Sequence, residues 1–382
     1  MDASEMIEWL QTSLNSARDR GRRAILRFLN TGDYKRFLKA LNKSRQGSKA
    51  LHSVHRLGII QAISCPYPKQ GLPASLADRL LWEEDTTVSV HALPNNSSSL
   101  SVEMGIPWGV RHIGAPEAWS RTTGHRIKVG VIDTGVDFSH PDLRHSLERG
   151  INLLQRTTLP QDDNGHGTHI AATIAAANEL QGMIGVAPRA IIHPVKAFDH
   201  NGTAFVSDII LGIDWCVRNG IDVVNMSFGM KTRSKSLLNA VANAYDSGVL
   251  IVASSGNDGQ RGDIDYPARY SYTIAVGATN EEGRIASFTN RSSSIDVYAP
   301  GENIVSAWLN GKHKEMSGTS MATSHVTGAV ALLLALKPGL SPEEIKSIIK
   351  RSAKPLRNNK SHRSGAAGEL NVSRMLKAVD KQ

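Results

Sequence analysis

The chain has only two cysteines, Cys65 and Cys216, among 382 residues. That excludes a disulfide scaffold and predicts two isolated, buried thiols. No run of eighteen apolar residues occurs, so no membrane span is expected. The opening Met-Asp-Ala-Ser-Glu-Met-Ile-Glu is acidic and lacks the apolar segment of a secretory leader. This points to the cytoplasm and leaves secretion open. Aromatic residues make up 5% of the chain and are not interleaved with basic ones. The net charge of +9 is spread thinly, with 14 Lys+Arg against 9 Asp+Glu in residues 1–100 and 30 against 26 in the rest. A nucleic-acid partner is therefore not expected.

What remains is a globular composition, 40% hydrophobic and 21% charged, long enough for one large domain and a small one. Residues 1–21 read as an amphipathic helix or leader, with Met6, Ile7, Trp9 and Leu10 toward one side. Residues 22–93 alternate as strand (Arg23–Leu29), helix (Asp33–Lys43), two strands (Leu51–Leu57, Gly58–Cys65), helix (Leu72–Leu81) and strand (Thr86–Leu93). The order β-α-β-β-α-β is the ferredoxin-like split pattern. Pro94 to Ser99 is polar and breaks structure, which marks a linker over 94–102.

From 103 to 382 apolar strands alternate with helices: Ile127–Ile132, Ile191–Lys196, Val223–Met226, Leu250–Ala253 and Thr273–Gly277 against Ile170–Ala177, Val206–Asn219 and Ser236–Ser247. The fold class is α/β, with a mostly parallel central sheet covered by helices on both faces. Further helices are expected over Pro342–Arg351 and Asn371–Val379, with a loose basic loop over Lys354–Glu369.

Ser317 to Gly328 reads as a tight turn entering an Ala-rich, buried helix. Ser320 stands at that entry as a helix cap or as a nucleophile fed by the positive helix end. Reactive groups collect where such strands end and helices begin. Asp133, His166 and Asn257 lie at those points. Each has another reading. Asp133-Thr134-Gly135 suits an aspartic protease only with a second carboxylate, and Asp246-Ser247-Gly248 falls at a helix end. His166 and His169 have a metal-pair spacing but no third ligand. Asn257 among glycines suits a turn. Together the four supply a nucleophile, a base, an orienting carboxylate and an oxyanion donor.

At this point the sequence resembles the subtilisin family of serine proteases, of the intracellular or propeptide-bearing bacterial type. The resemblance rests on Val131-Ile132-Asp133-Thr134-Gly135-Val136, His140-Pro141-Asp142-Leu143, Asn164-Gly165-His166-Gly167-Thr168-His169, Gly185-Val186-Ala187-Pro188, Asn225-Met226-Ser227-Phe228-Gly229 and Gly318-Thr319-Ser320-Met321-Ala322. It covers residues 105–375 and implies a self-processed zymogen of a serine endopeptidase. Ser320 would be the nucleophile, His166 the base, Asp133 its orienter and Asn257 the oxyanion donor. Asn201, Gly202, Thr203, Ser227, Phe228 and Gly229 would pair with an extended substrate. Ser254, Ser255 and Gly256 would line the first specificity pocket. A catalytically silent binding relative is the competing reading, and the intact quartet speaks against it.

The resemblance also implies a structural Ca²⁺ held by Asp142 and Glu179 with the carbonyls of Ala177, Gln181 and Met183. It makes residues 22–93 a propeptide and intramolecular inhibitor, cut somewhere in 91–103, with a permanent regulatory domain as the alternative. The expected partners are protein or peptide substrates, and the expected state is a monomer. The chain departs from the family pattern at Ser324, Thr327 and Asp265. Asp265 at the pocket floor, with Asp258 at the rim, would favour a Lys or Arg side chain.

Overall fold

The computed structural model describes residues 2–15, 21–91, 105–178, 182–356 and 367–380. Its first unit contains helix α1 (Ala3–Asn15), strand β1 (Arg23–Phe28), helix α2 (Thr31–Ser44), strands β2 (His55–Leu57) and β3 (Ala62–Pro66), the single turn α3 (Ala74–Ala77) and strand β4 (Leu80–Asp85). The four strands form an antiparallel sheet ordered β2-β3-β1-β4. Asn30 starts α2 by accepting the N–H groups of Gly32 and Asp33, a cap worth about 1 kcal/mol. Tyr34, Phe37 and Leu41 then fall on its inner face. α1 docks on the same core: Met6 and Leu10 are buried, and Trp9 donates to the Gly71 carbonyl at 3.1 Å.

Two elements of this unit differ from the sequence reading. The helix expected over Leu72–Leu81 is one turn, because the chain turns at Asp78 and Leu80 and Trp82 then alternate inward as a strand. That strand, β4, completes the small sheet. The segment expected as its last strand is β5 (Thr87–Val90), and it leaves for the second unit.

The second unit runs through α4 (Trp108–His112), β6 (Lys128–Asp133), β7 (Ile151–Asn152), α5 (His166–Ala175), β8 (Ile191–Lys196), β9 (Thr203–Phe205), α6 (Val206–Arg218), β10 (Val223–Met226), β11 (Phe228–Gly229), α7 (Lys235–Asp246), β12 (Leu250–Ser254), β13 (Thr273–Thr279), β14 (Val297–Pro300), β15 (Ile304–Trp308), β16 (Lys312–Met316), α8 (Thr319–Leu336), α9 (Pro342–Ser352) and α10 (Val372–Val379). Seven strands form a parallel sheet ordered β14-β13-β12-β10-β6-β8-β7. Strands β10, β12 and β13 are buried along their whole length, as a sheet covered on both faces requires. Sequence reasoning missed β14 and the β15–β16 hairpin, where Lys312, His313, Lys314 and Glu315 hide the strand pattern.

α8 is the only helix among the described residues long and apolar enough to cross a membrane, yet 89% of it lies buried inside the protein. It is the core helix, and the Ser, Thr and His side chains of its first half are buried with their hydrogen bonds made inside the protein. The ends of the expected loose loop at 354–369 are held. Glu369 is buried and accepts from His112, Thr279 and Lys354. Both thiols are free and buried, and burial pushes that of Cys65 up to about 12.

The small unit meets the large one through β4 and β5. Strand β5 lies antiparallel between β9 and β11, pairing Ser89 with Thr203 and Gly229, and Val90 with Phe228. At the end of β4, Glu83 accepts the N–H and hydroxyl of Ser236 at the start of α7, at 2.9 and 2.7 Å. Asp85 accepts the Ser207 N–H at 2.9 Å at the start of α6. Both contacts place carboxylates at positive helix ends. Burial raises the Asp85 pKa to about 6, against the lowering pull of the Ser207 bonds and Arg23.

Candidate active site

Asp133 ends β6 at the C-terminal edge of the sheet, and His166 is the first residue of α5. His166 Nδ1–H donates to Asp133 Oδ1 at 2.7 Å, and the Thr134 N–H donates to the same oxygen at 2.7 Å. Two glycines allow the loops to approach so closely. Gly165 holds φ 105°, and a Cβ on Gly167 would run into the Gly135 carbonyl. Asp162, which sequence reasoning did not single out, ties the pair down. It accepts the Thr134 hydroxyl at 2.8 Å, the Thr168 hydroxyl at 2.6 Å and the Thr168 N–H at 3.0 Å. His166 Nε2 is buried without a hydrogen-bond partner.

His169 points elsewhere. Its Nε2 bonds the carbonyls of Ile304 and Lys314 at 3.1 Å each, and burial lowers its pKa to about 3. The metal-pair spacing therefore does not make a metal pair. Asp246 lies at the end of α7, and Gly248 stops that helix at φ 84°.

Ser320 is the second residue of α8, where backbone N–H groups have no partner one turn earlier. Its side chain makes no capping bond. The Ser320 hydroxyl donates instead to the Ser227 carbonyl at 2.8 Å. Asn257 follows β12 and is oriented by Thr319, whose N–H and hydroxyl donate to Asn257 Oδ1 at 2.9 and 2.8 Å. That leaves Asn257 Nδ2 buried with no partner, beside the start of α8. An imidazole nitrogen and an amide donor, both buried and unpaired, thus accompany a hydroxyl at a helix N-terminus.

The residues expected to pair with an extended chain do so with β5. Gly202 O accepts Val90 N–H at 3.1 Å, and Ser227 O accepts His91 N–H at 3.1 Å. Phe228 contributes backbone only, since its ring packs on Phe198 at 4.9 Å. Asn201 sits in the preceding turn and gives its N–H to Asp199.

The pocket beyond is bounded by Ser254 and Asp265, with Gly256 against Asp265 and the Ser255 hydroxyl buried without a hydrogen-bond partner. A side chain on Gly256 would meet Asp265 and Asn290. His91 enters this pocket, its Nδ1 sharing a bond with Ser254 Oγ at 2.7 Å and its Nε2 2.9 Å from Asp265 Oδ2. Lys231 was not foreseen. Its ammonium lies 2.7 Å from Asp265 Oδ1 and pairs with Asp258 as well. Burial alone would raise the Asp265 pKa, but His91 and then Lys231 outweigh it and hold the carboxyl below its ordinary value.

Of the expected calcium ligands, Glu179 and Gln181 lie outside the described residues. Asp142 is buried, and its backbone carbonyl accepts the Ala177 N–H at 2.9 Å. Asp142 Oδ1 faces the 177–183 loop, accepting from Asn178 at 2.8 Å, and a Cβ on Gly182 would collide with it. Oδ2 accepts from His313 at 2.7 Å and from the Met183 N–H at 3.3 Å. Burial opposes the charge on Asp142, but His313 and Asn178 outweigh it and hold the pKa low. Both Asp142 oxygens thus meet nitrogen groups, and the Met183 carbonyl accepts the Asn178 N–H at 3.2 Å; a buried carboxylate beside this turn of chain is the donor chemistry a hard cation takes. His140 and His313 complete a close group with Asp142, but both His140 nitrogens are committed, to Lys312 O and the Asp142 N–H.

Residues 124–368 match the model of the subtilase family. Subtilisin Savinase of Lederbergia lenta is 42% identical over 261 residues, covering 68% of this chain and 96% of that protein. Subtilisin E of Bacillus subtilis strain 168 is 40% identical over 291 residues, covering 75% and 76%. M-protease of Shouchella clausii KSM-K16 is 40% identical over 284 residues, covering 74% and 73%.

Proposed function

The chain belongs to the subtilase family and is a serine endopeptidase, and from that premise we propose how its own residues divide the work. Ser320 turns its hydroxyl from the Ser227 carbonyl toward His166 Nε2 and attacks the scissile carbonyl. His166 takes the proton and returns it to the leaving amine. Asp133 fixes the tautomer that leaves Nε2 free and stabilises the imidazolium. Asn257 Nδ2 and the Ser320 N–H hold the oxyanion. An acyl-enzyme on Ser320 is then hydrolysed by water. The observation that carries this reading is the pair of buried, unpartnered groups, His166 Nε2 on the imidazole held by Asp133 and Asn257 Nδ2 at the start of α8.

In the same reading residues 22–93 are a propeptide that inhibits by laying β5 in the substrate channel, and residues 103–382 are the peptidase. Strand addition supplies the backbone bonds, as it would for a substrate. The protein is a monomer, and calcium binds the 177–183 loop through Asp142, Glu179 and the carbonyls of Ala177, Gln181 and Met183. When bound, the ion supplies a fixed positive charge to the loop and takes no part in the chemistry.

The test is labelling with a fluorophosphonate, alongside mass spectrometry of the purified chain over time. Wild type should label at Ser320 after the N-terminal unit is released, and Ser320→Ala should neither label nor process. Failure of wild type to label would defeat the proposal.

A further inference from the structure

β5 enters the active site in a defined register. Ser227 O accepts two hydrogen bonds, one from the His91 N–H at 3.1 Å and one from the Ser320 hydroxyl at 2.8 Å. Two donors that share one oxygen are neighbours. That brings the His91 backbone beside the Ser320 hydroxyl.

The His91 side chain fills the pocket. Gly229 forms one wall, since any Cβ there would strike the imidazole. Ser254 Oγ meets Nδ1 at 2.7 Å and can donate to a neutral ring or accept from a charged one. Asp265 divides its two oxygens. Oδ1 takes Lys231 at 2.7 Å, and Oδ2 takes His91 Nε2 at 2.9 Å. Asp258 is the other partner of Lys231. Two carboxylates and one ammonium leave the empty pocket with one net negative charge. A cationic occupant makes it neutral, whereas an uncharged one strands a buried carboxylate oxygen.

We propose that this pocket selects a positively charged side chain through Asp265 Oδ2, with Lys231 as an internal counter-ion occupying Oδ1, and that His91 is its intramolecular occupant. The inference rests on the hydrolytic function proposed above. It places the processing cut on the carboxyl side of His91. Ser320 Oγ adds to the His91 carbonyl carbon, and the C–N bond to the next residue breaks. That residue's nitrogen leaves as an amine with the proton taken from Ser320, delivered by His166. One water then cleaves the ester, leaving the His91 carboxylate and restoring the Ser320 hydroxyl.

The experiment has two arms on the full chain. Mass spectrometry should find a fragment ending at His91. His91→Arg should be cut at the same place, and His91→Leu should be cut at least tenfold more slowly. The processed enzyme should hydrolyse peptides with Arg or Lys before the scissile bond at least tenfold better in kcat/KM than those with Phe or Leu. Asp265→Asn should lower the Arg-to-Phe ratio at least tenfold. Lys231→Met, on the half-exposed side of the pocket, should raise that ratio several-fold, and it serves if the Asp265 variant does not fold. An enzyme that labels with fluorophosphonate but prefers Phe, or cuts His91→Leu at the wild-type rate, overturns the inference and leaves the hydrolytic function standing. Absence of labelling overturns both.

Discussion

Thr327 donates its hydroxyl to Asn225 Oδ1 at 2.9 Å from within the core helix. Asn225 Nδ2 in turn donates to Ser227 Oγ at 2.7 Å, and Ser227 Oγ to the Ser320 carbonyl at 3.3 Å. A side chain two helical turns behind Ser320 thus braces the peptide that bears Ser320. Thr327→Val keeps the shape but strands a buried amide oxygen, which should cost about 1–3 kcal/mol in urea unfolding. It should also lower kcat, and Thr327→Ser should recover most of both losses. An unchanged unfolding midpoint in the valine variant would refute the brace.

Asn257→Ala removes the unpaired Nδ2. A fall of about 10²–10³ in kcat with KM little changed is expected, the size seen for the corresponding donor in subtilisin itself. Steady-state kinetics on a chromogenic peptide would measure it. Equal falls in binding and turnover would indicate a structural role instead.

The contact between the two units should depend on pH through Asp85. Its docked pKa, about 6, lies above the ordinary carboxyl value. Docking therefore favours the protonated form. That support is full below the ordinary value and is lost as pH rises through about 6. Arg23, 3.9 Å away, favours the charged form and Asp208 opposes it, but desolvation prevails. In the Ser320→Ala chain, amide protection in β1 and β4, taken relative to the intrinsic exchange rate at each pH, should fall between pH 4.5 and 7.5, and Asp85→Asn should flatten the change. Lower protection at the acidic end would contradict this sign.

Excess chelator should lower the melting temperature of the processed enzyme, and added Ca²⁺ should restore it. Asp142→Asn should abolish the difference. A melting temperature indifferent to chelator would remove calcium from the description of this loop.

Much of the site was legible in the sequence because its chemistry sits in short glycine-bearing motifs at element ends. Asp133, His166, Asn257 and Ser320 each announce themselves locally. Lys231 and Thr319 do not, because they act on residues distant along the chain, and Asp162 does not, because it joins Thr168 to Thr134, 28 positions away. Lys231 reaches across 34 positions to Asp265. The large sheet was readable from its apolar runs. Its edge strand β14 was not, since Val297–Pro300 is four residues long and ends in proline, and the β15–β16 hairpin was not, since charged residues stand in β16 where periodicity was sought. β5 was seen as a strand but assigned to the wrong sheet. A strand's own residues state that it is extended, but not which edge it joins.

The occupied channel has a consequence for how activity would depend on dilution. While β5 belongs to the same chain as the sheet edges it joins, its local concentration is of the order that short tethers give, about millimolar, whatever the concentration of protein. A cut after His91, as proposed, would change the order of that reaction. The released unit, still held by Glu83, Asp85 and the four residues of β5, would become a separate ligand obeying mass action. A concentrated preparation would then stay largely silent after complete processing, and activity per molecule would rise as the sample is diluted.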